Sequence, residues 1–125
     1  MNKEVTWDDI DEVLASAMRG KRPPSTFVGN GCSGGPDEIG GVDCAPACFF
    51  HDFAYLYGGT EKERKRADHE LFYNLRTCGV PYFYAQKYYR AVRFWGVDKF
   101  QYRPHDCKPG KWKRFVLFFS RWVSF

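Results

Sequence analysis

Residues 21–41 hold three of the chain's seven prolines and six of its twelve glycines. At ~1 kcal/mol per glycine and ~3 kcal/mol per proline no regular helix tolerates that composition, so the segment is a long loop. Structureless connections of this length inside compact domains are usually functional or disordered, and Cys32 in its middle argues for a loop tied down for a purpose. The rest of the chain has to be organised around it.

At 125 residues the chain is expected to form a single domain over 1–125. The balance of 44 % hydrophobic to 27 % charged residues excludes wholesale disorder. Leu and Ile are scarce, so Phe, Tyr and Trp must fill the core, and any left over belong where apolar and wet surroundings meet. A formal charge of +4 permits attraction to anionic lipid or nucleic acid without demanding either. Five cysteines in so short a chain point to at least one disulfide and an oxidising destination, with metal ligation as the competing use. Residues 1–20 are acid-rich and contain no apolar run of signal-peptide length. No stretch approaches the ~18 to 20 apolar residues of a membrane span.

Punctuation residues predict the helices. An N-terminal helix within 1–20, capped by Asp8 or Asp9, places Ile10, Val13, Leu14 and Ala17 at helical spacing and ends at Gly20. A second helix starts near Asp43, accepts Pro46 in its first turn and stops at Gly58-Gly59. Thr60 opens a third, with Glu63 completing a capping box, and Gly79-Val80-Pro81 closes it. Two helices joined by so short a turn should lie antiparallel. A fourth helix over 81–95 is expected to bury Tyr84, Tyr88, Ala91, Val92 and Trp95. No strand pair is evident.

Chemistry concentrates on the second and third helices. Cys48, His51, Asp52 and Tyr55 lie within about one turn of each other. In the third helix the stripe Ala67, Leu71, Phe72, Leu75 is interrupted by Asp68, and a carboxylate there costs several kcal/mol unless paired. His51 and Tyr55 are the partners at the right height, and an aspartate that takes one imidazole N–H leaves the other nitrogen free to act as a general base. Asp52 points about 100° away from His51 and can face the loop. One carboxylate with several backbone carbonyls, turned inward at Gly29, Gly31, Gly34 and Gly35, is a donor set for calcium. A competing use of the same region is a zinc site built from Cys32, Cys44, Cys48 and His51.

The strings Gly29-Asn30-Gly31-Cys32, Pro46-Ala47-Cys48-Phe49-Phe50-His51-Asp52-Phe53-Ala54-Tyr55 and Ala67-Asp68 together resemble the active-site pattern of the secreted phospholipase A2 superfamily, in its compact bacterial, fungal and viral form. The resemblance covers roughly 28–75 within a catalytic core at 28–79. It implies a mainly α fold, with two antiparallel active-site helices, a glycine-rich calcium loop and peripheral helices. It implies that His51 activates a water, Asp68 orients His51 and Tyr55 supports Asp68. Asp52, Asn30, Gly31 and Ser33 would hold Ca2+, and a Cys32–Cys48 disulfide would clamp the loop. The implied reaction is hydrolysis of the sn-2 ester of a glycerophospholipid at a membrane surface, with no nucleic acid partner. The implied place of action is outside the producing cell, by export without a recognisable signal peptide or in a virion. Asn30 stands where compact relatives often carry Asp, which opens the alternative of a lipid-binding module without turnover. Cys78–Cys107 is the preferred second pairing, leaving Cys44 as a thiol.

The tail at 111–125 carries four basic residues and no acidic one. Trp112, Lys113, Phe115, Phe119 and Trp122 there could lie in a lipid interface, or the aromatics could complete the core.

Overall fold

The structure is a computed structural model and describes residues 4–32, 38–39 and 41–103. Ser33, Gly34 and Gly35, the Cys78–Cys107 pairing and the expected interface residues of the tail lie outside the described residues. The fold is mainly helical. In chain order it comprises a 3-10 turn (Trp7–Asp9), α1 (Glu12–Ser16), β1 (Glu38–Ile39), β2 (Val42–Asp43), α2 (Ala45–Tyr57), α3 (Glu61–Cys78), α4 (Tyr82–Trp95) and a 3-10 turn (Gly96–Asp98).

The long helices start and stop where the punctuation places them. At the start of α2 the Asp43 carboxylate accepts the Ala45 N–H at 2.9 Å, and Pro46 occupies the first turn, where a missing N–H costs no intrahelical bond. The Thr60 N–H donates to Glu63 at 3.2 Å, the reciprocal half of a capping box. At the far end of α3, Gly79 is left-handed at φ 102, and two bonds, Gly79 N–H to Arg76 O and Val80 N–H to Leu75 O, close a Schellman motif. The turn between α2 and α3 needs glycine. Gly58 has φ 78, and a Cβ there would overlap the Gln101 carbonyl oxygen.

Three expectations are corrected. The N-terminal segment is not one helix running to Gly20. Thr6 caps the 3-10 turn, Asp11 caps α1, and α1 ends at Ser16. Neither Asp8 nor Asp9 is an N-cap, and Val13 is exposed, because the segment is too short for helical spacing to define a face. In α4 the buried residues are Ala85, Tyr89 and Arg93, with Tyr88 and Val92 packed at the edge, so the face sits one residue on from the expected stripe. Tyr84 and Trp95 are exposed. A minimal antiparallel pair joins Ile39 to Val42 and Glu38 to Asp43 just before α2.

Packing then fixes the helices. Leu71, Phe72 and Leu75 of α3 meet Ala47 and Cys48 of α2 and Ala85 and Tyr89 of α4 in one cluster. Phe49 and Phe50, on the other side of α2, pack on Val5, Ile10 and Trp7. Tyr55 and Ala67 are closed over by Val97, Phe100 and Tyr102. Each fully buried side chain of this kind, such as Phe49 or Leu75, contributes roughly 1.5–3 kcal/mol. The first and third clusters hold α2 and α3 in a fixed register across the short Gly58-Gly59-Thr60 connection, which brings position 51 opposite position 68.

Candidate active site

That register places the imidazole of His51 against the carboxylate of Asp68, which has no exposed surface. The His51 Nε2 lies 2.8 Å from Asp68 Oδ1, and the Tyr55 hydroxyl donates to the same oxygen at 2.6 Å. An ionised carboxylate only accepts, so the His51 proton resides on Nε2 and the Nδ1 carries the lone pair, able to accept a proton. Burial alone would push Asp68 up. The hydrogen bond from His51, with the Arg93 and Arg64 guanidiniums, outweighs it and holds the carboxyl below the usual range. Tyr55 is raised well above the usual phenol value by burial first and by the Asp68 charge second, so it remains a donor.

The His51 side chain is only 10 % exposed. A cavity lies against it, lined among others by Arg19, Lys21, Phe50, Glu70 and Asn74. Measured to the centre of a water molecule its volume is about 10 Å³, which is room for roughly one water. Asn74 holds the Arg19 backbone beside this cavity, accepting the Arg19 N–H at 2.7 Å and donating to the Arg19 carbonyl at 3.1 Å. Burial raises Glu70, in part offset by Arg66 and Arg19.

Asp52 turns away from the dyad, as one residue of helical rotation requires, and meets the glycine loop. Its Oδ2 accepts the Asn30 N–H at 2.9 Å. Gly29 is held there by a two-bond bridge to Val5, with both N···O distances 2.8 Å. A Cβ on Gly29 would sit 3.1 Å from Asp52 Oδ2, a tight contact, so the loop backbone lies close against the carboxylate. Gly31 is buried with φ 74, a left-handed conformation that suits glycine. Asp52 is a hard carboxylate of the kind calcium takes, whereas the loop group that meets it here is a main-chain N–H rather than an oxygen. Asn30 enters this arrangement through its main-chain N–H.

Cys32 and Cys48 form a disulfide that joins the loop to α2. Two of the three sulfurs expected as zinc ligands, Cys32 and Cys48, are therefore bonded to each other, and His51 has committed Nε2 to Asp68. Among the described residues no three His, Cys, Asp or Glu side chains converge as a metal site. Cys44 is buried and its thiol lies 3.7 Å from the Val42 carbonyl. Cys78 is half-buried, and burial raises its thiol.

Sequence reasoning missed the residues beneath Asp68. Arg64, Arg93 and Asp68 are all buried, and Glu61 and Tyr102 complete a polar cluster with them. A signal was present for Arg64, which precedes Asp68 by four residues and so shares its inward stripe. Comparison of the chain with family models, with curated proteins and with solved structures returned no match.

Proposed function

We propose that the chain is a calcium-dependent phospholipase A2, hydrolysing the sn-2 ester of glycerophospholipids at a membrane surface. The observation that carries this reading is the buried His51–Asp68 pair, 2.8 Å apart, with Tyr55 on the same carboxylate oxygen and Asp52 of the same helix turned to a glycine loop. In this reading α2 and α3 are the antiparallel active-site helices and residues 29–33 belong to the calcium loop.

His51 Nδ1 takes a proton from a water held against the imidazole, and the water oxygen attacks the ester carbonyl. Asp68 stabilises the imidazolium that forms and keeps the ring in the Nε2–H tautomer. The ring then returns its proton to the departing glycerol oxygen, releasing a fatty acid and a lysophospholipid. Asp52 and main-chain oxygens near Gly31 would hold calcium, which supplies charge for the ester oxygen as it becomes an oxyanion. The enzyme would work outside the cell that makes it, where the Cys32–Cys48 disulfide persists.

The test is fatty-acid release from phosphatidylcholine and phosphatidylglycerol vesicles with calcium and with a chelator. Release that needs calcium and disappears in His51→Ala supports the reading, and release unaffected by that substitution removes it. A second reading, lipid binding without turnover, is favoured by the Asn30 N–H already engaging Asp52 Oδ2. Calcium-independent vesicle binding with no lysophospholipid would decide for it.

A further inference from the structure

Beneath Asp68 the chain buries a layer of charge that a histidine–aspartate pair does not itself require. Arg93 Nη1 donates to Asp68 Oδ2 at 2.8 Å, while its other arm, Nη2, donates to Glu61 Oε2 at 2.6 Å. Glu61 in turn accepts from Arg64 Nε at 2.8 Å and from the Tyr102 hydroxyl at 2.5 Å. Arg64 and Asp68 have no exposed surface and Arg93 has 3 %. Two guanidiniums face two carboxylates, so the cluster carries no net charge and can be buried.

Stability gives little reason for such a cluster, since well-packed apolar residues in place of a buried ion network are often as stable or more so. Geometry supplies one. A carboxylate bonded only through Oδ1 can still rotate about its last side-chain torsion, which is broad and roughly two-fold. Arg93 Nη1 engages Oδ2 and opposes that rotation, while Arg64 Nη1 stands 3.5 Å from the same oxygen as a longer ion pair. Glu61 fixes the fork from behind, and Arg64 packs Glu61 in place while donating to the Val92 carbonyl at 3.0 Å. Among the described residues the Arg93 Nε meets no acceptor, and the hydrogen bonds of its two Nη atoms go to the two carboxylates.

We propose that Arg93 is a positioning residue of the dyad: its guanidinium spans Asp68 and Glu61 and keeps Asp68 Oδ1 aimed at His51 Nε2 while the imidazole carries the substrate proton. This rests on the hydrolytic reading and extends it to two residues, Arg93 and Glu61, that touch neither substrate nor the reacting atoms. A carboxylate free to swing would leave the ring without its orienting acceptor for part of each cycle. That loss falls on turnover rather than on substrate binding.

The experiment compares Arg93→Met, Arg93→Lys and Glu61→Gln with the wild-type chain, each shown to be folded by circular dichroism. Two readouts are taken: kcat and KM on phospholipid vesicles with calcium, and the exchange rate of the His51 ring N–H proton by NMR, assigned by its loss in His51→Ala. Arg93→Met is expected to lower kcat on the order of 100-fold with KM changed less than about twofold, and to speed ring-proton exchange. Arg93→Lys, which keeps the charge but not the fork, should recover part of both, and Glu61→Gln should fall between it and wild type. Unchanged kcat and unchanged exchange in a folded Arg93→Met overturn the proposal. Should that variant not fold, unchanged values in both Arg93→Lys and Glu61→Gln overturn it. If the wild-type chain hydrolyses no phospholipid the functional reading fails, and the exchange rates alone still decide whether Arg93 holds Asp68.

Discussion

An aspartate with no exposed surface stays ionised only where donors surround it, and Asp68 has them on both oxygens: His51 and Tyr55 on one, Arg93 on the other. Removing the base should be the most damaging change. His51→Ala is expected to lower kcat by about 10²–10⁴-fold, read in a fatty-acid release assay on folded protein. Tyr55→Phe deletes one charge-assisted bond and should cost about 1.5–3 kcal/mol in urea unfolding, because Oδ1 keeps His51 but loses a neighbour. The dyad was legible in the sequence because helical spacing ties Cys48, His51, Asp52 and Tyr55 to adjoining faces and makes Asp68 an acid on an apolar stripe. Arg93 was not, and Arg64 only through its four-residue spacing from Asp68, since a charged residue on a helix is by default solvated. Only the carboxylates they meet explain their burial, on its own helix for Arg64 and across helices for Arg93.

Among the elements, α2, α3 and α4 could be delimited in advance because glycine, proline and capping residues mark their ends with local chemistry. The N-terminal turns could not, since the five residues of α1 span little more than one helical period. The inward face of α4 was misplaced by one residue. Tyr84 and Trp95 are large and apolar yet exposed, while Ala85 and Arg93 are buried against α3 and the charge cluster. Two glycines outside the helices carry testable weight. Gly58→Ala would put a side chain at φ 78 onto the Gln101 carbonyl, and should destabilise the chain by more than the about 1–2 kcal/mol of left-handed backbone alone. A Cβ at Gly96 would overlap the Tyr55 hydroxyl. Gly96→Ala is therefore expected to displace that hydroxyl from Asp68 and to lower kcat at least as far as Tyr55→Phe, compared in the same assay.

At the scale of the molecule, two of the three apolar clusters join α2 to α3, and the buried charges make the whole sensitive to acid. Asp68 and Glu61 are each pushed up by burial, but the bonds from His51 to one and from Arg64 and Tyr102 to the other, together with the guanidinium charges, hold both below the usual range. A lowered folded value means stability that is fully present above the unfolded carboxylate range, about pH 4, and is lost as pH falls through the folded values. The urea midpoint should therefore drop steeply below about pH 4, and less steeply in Glu61→Gln. Glu70, raised by burial, works the other way: its contribution is present below the unfolded value and is lost as pH rises through the folded one. Reduction of Cys32–Cys48, which are 16 residues apart, should cost about 3 kcal/mol in the same measurement. The mainly helical class could be read from spacing and punctuation, whereas the apposition of α4 to the dyad depends on contacts between residues far apart in the chain.

The most direct measurement uses a phospholipid with distinguishable chains at its two ester positions, incubated with calcium and either wild-type protein or a folded His51→Asn variant, with products resolved by mass. The account predicts release of the sn-2 chain alone by the wild type and none by the variant. Release of both chains without preference, or equal release by the two proteins, would contradict it.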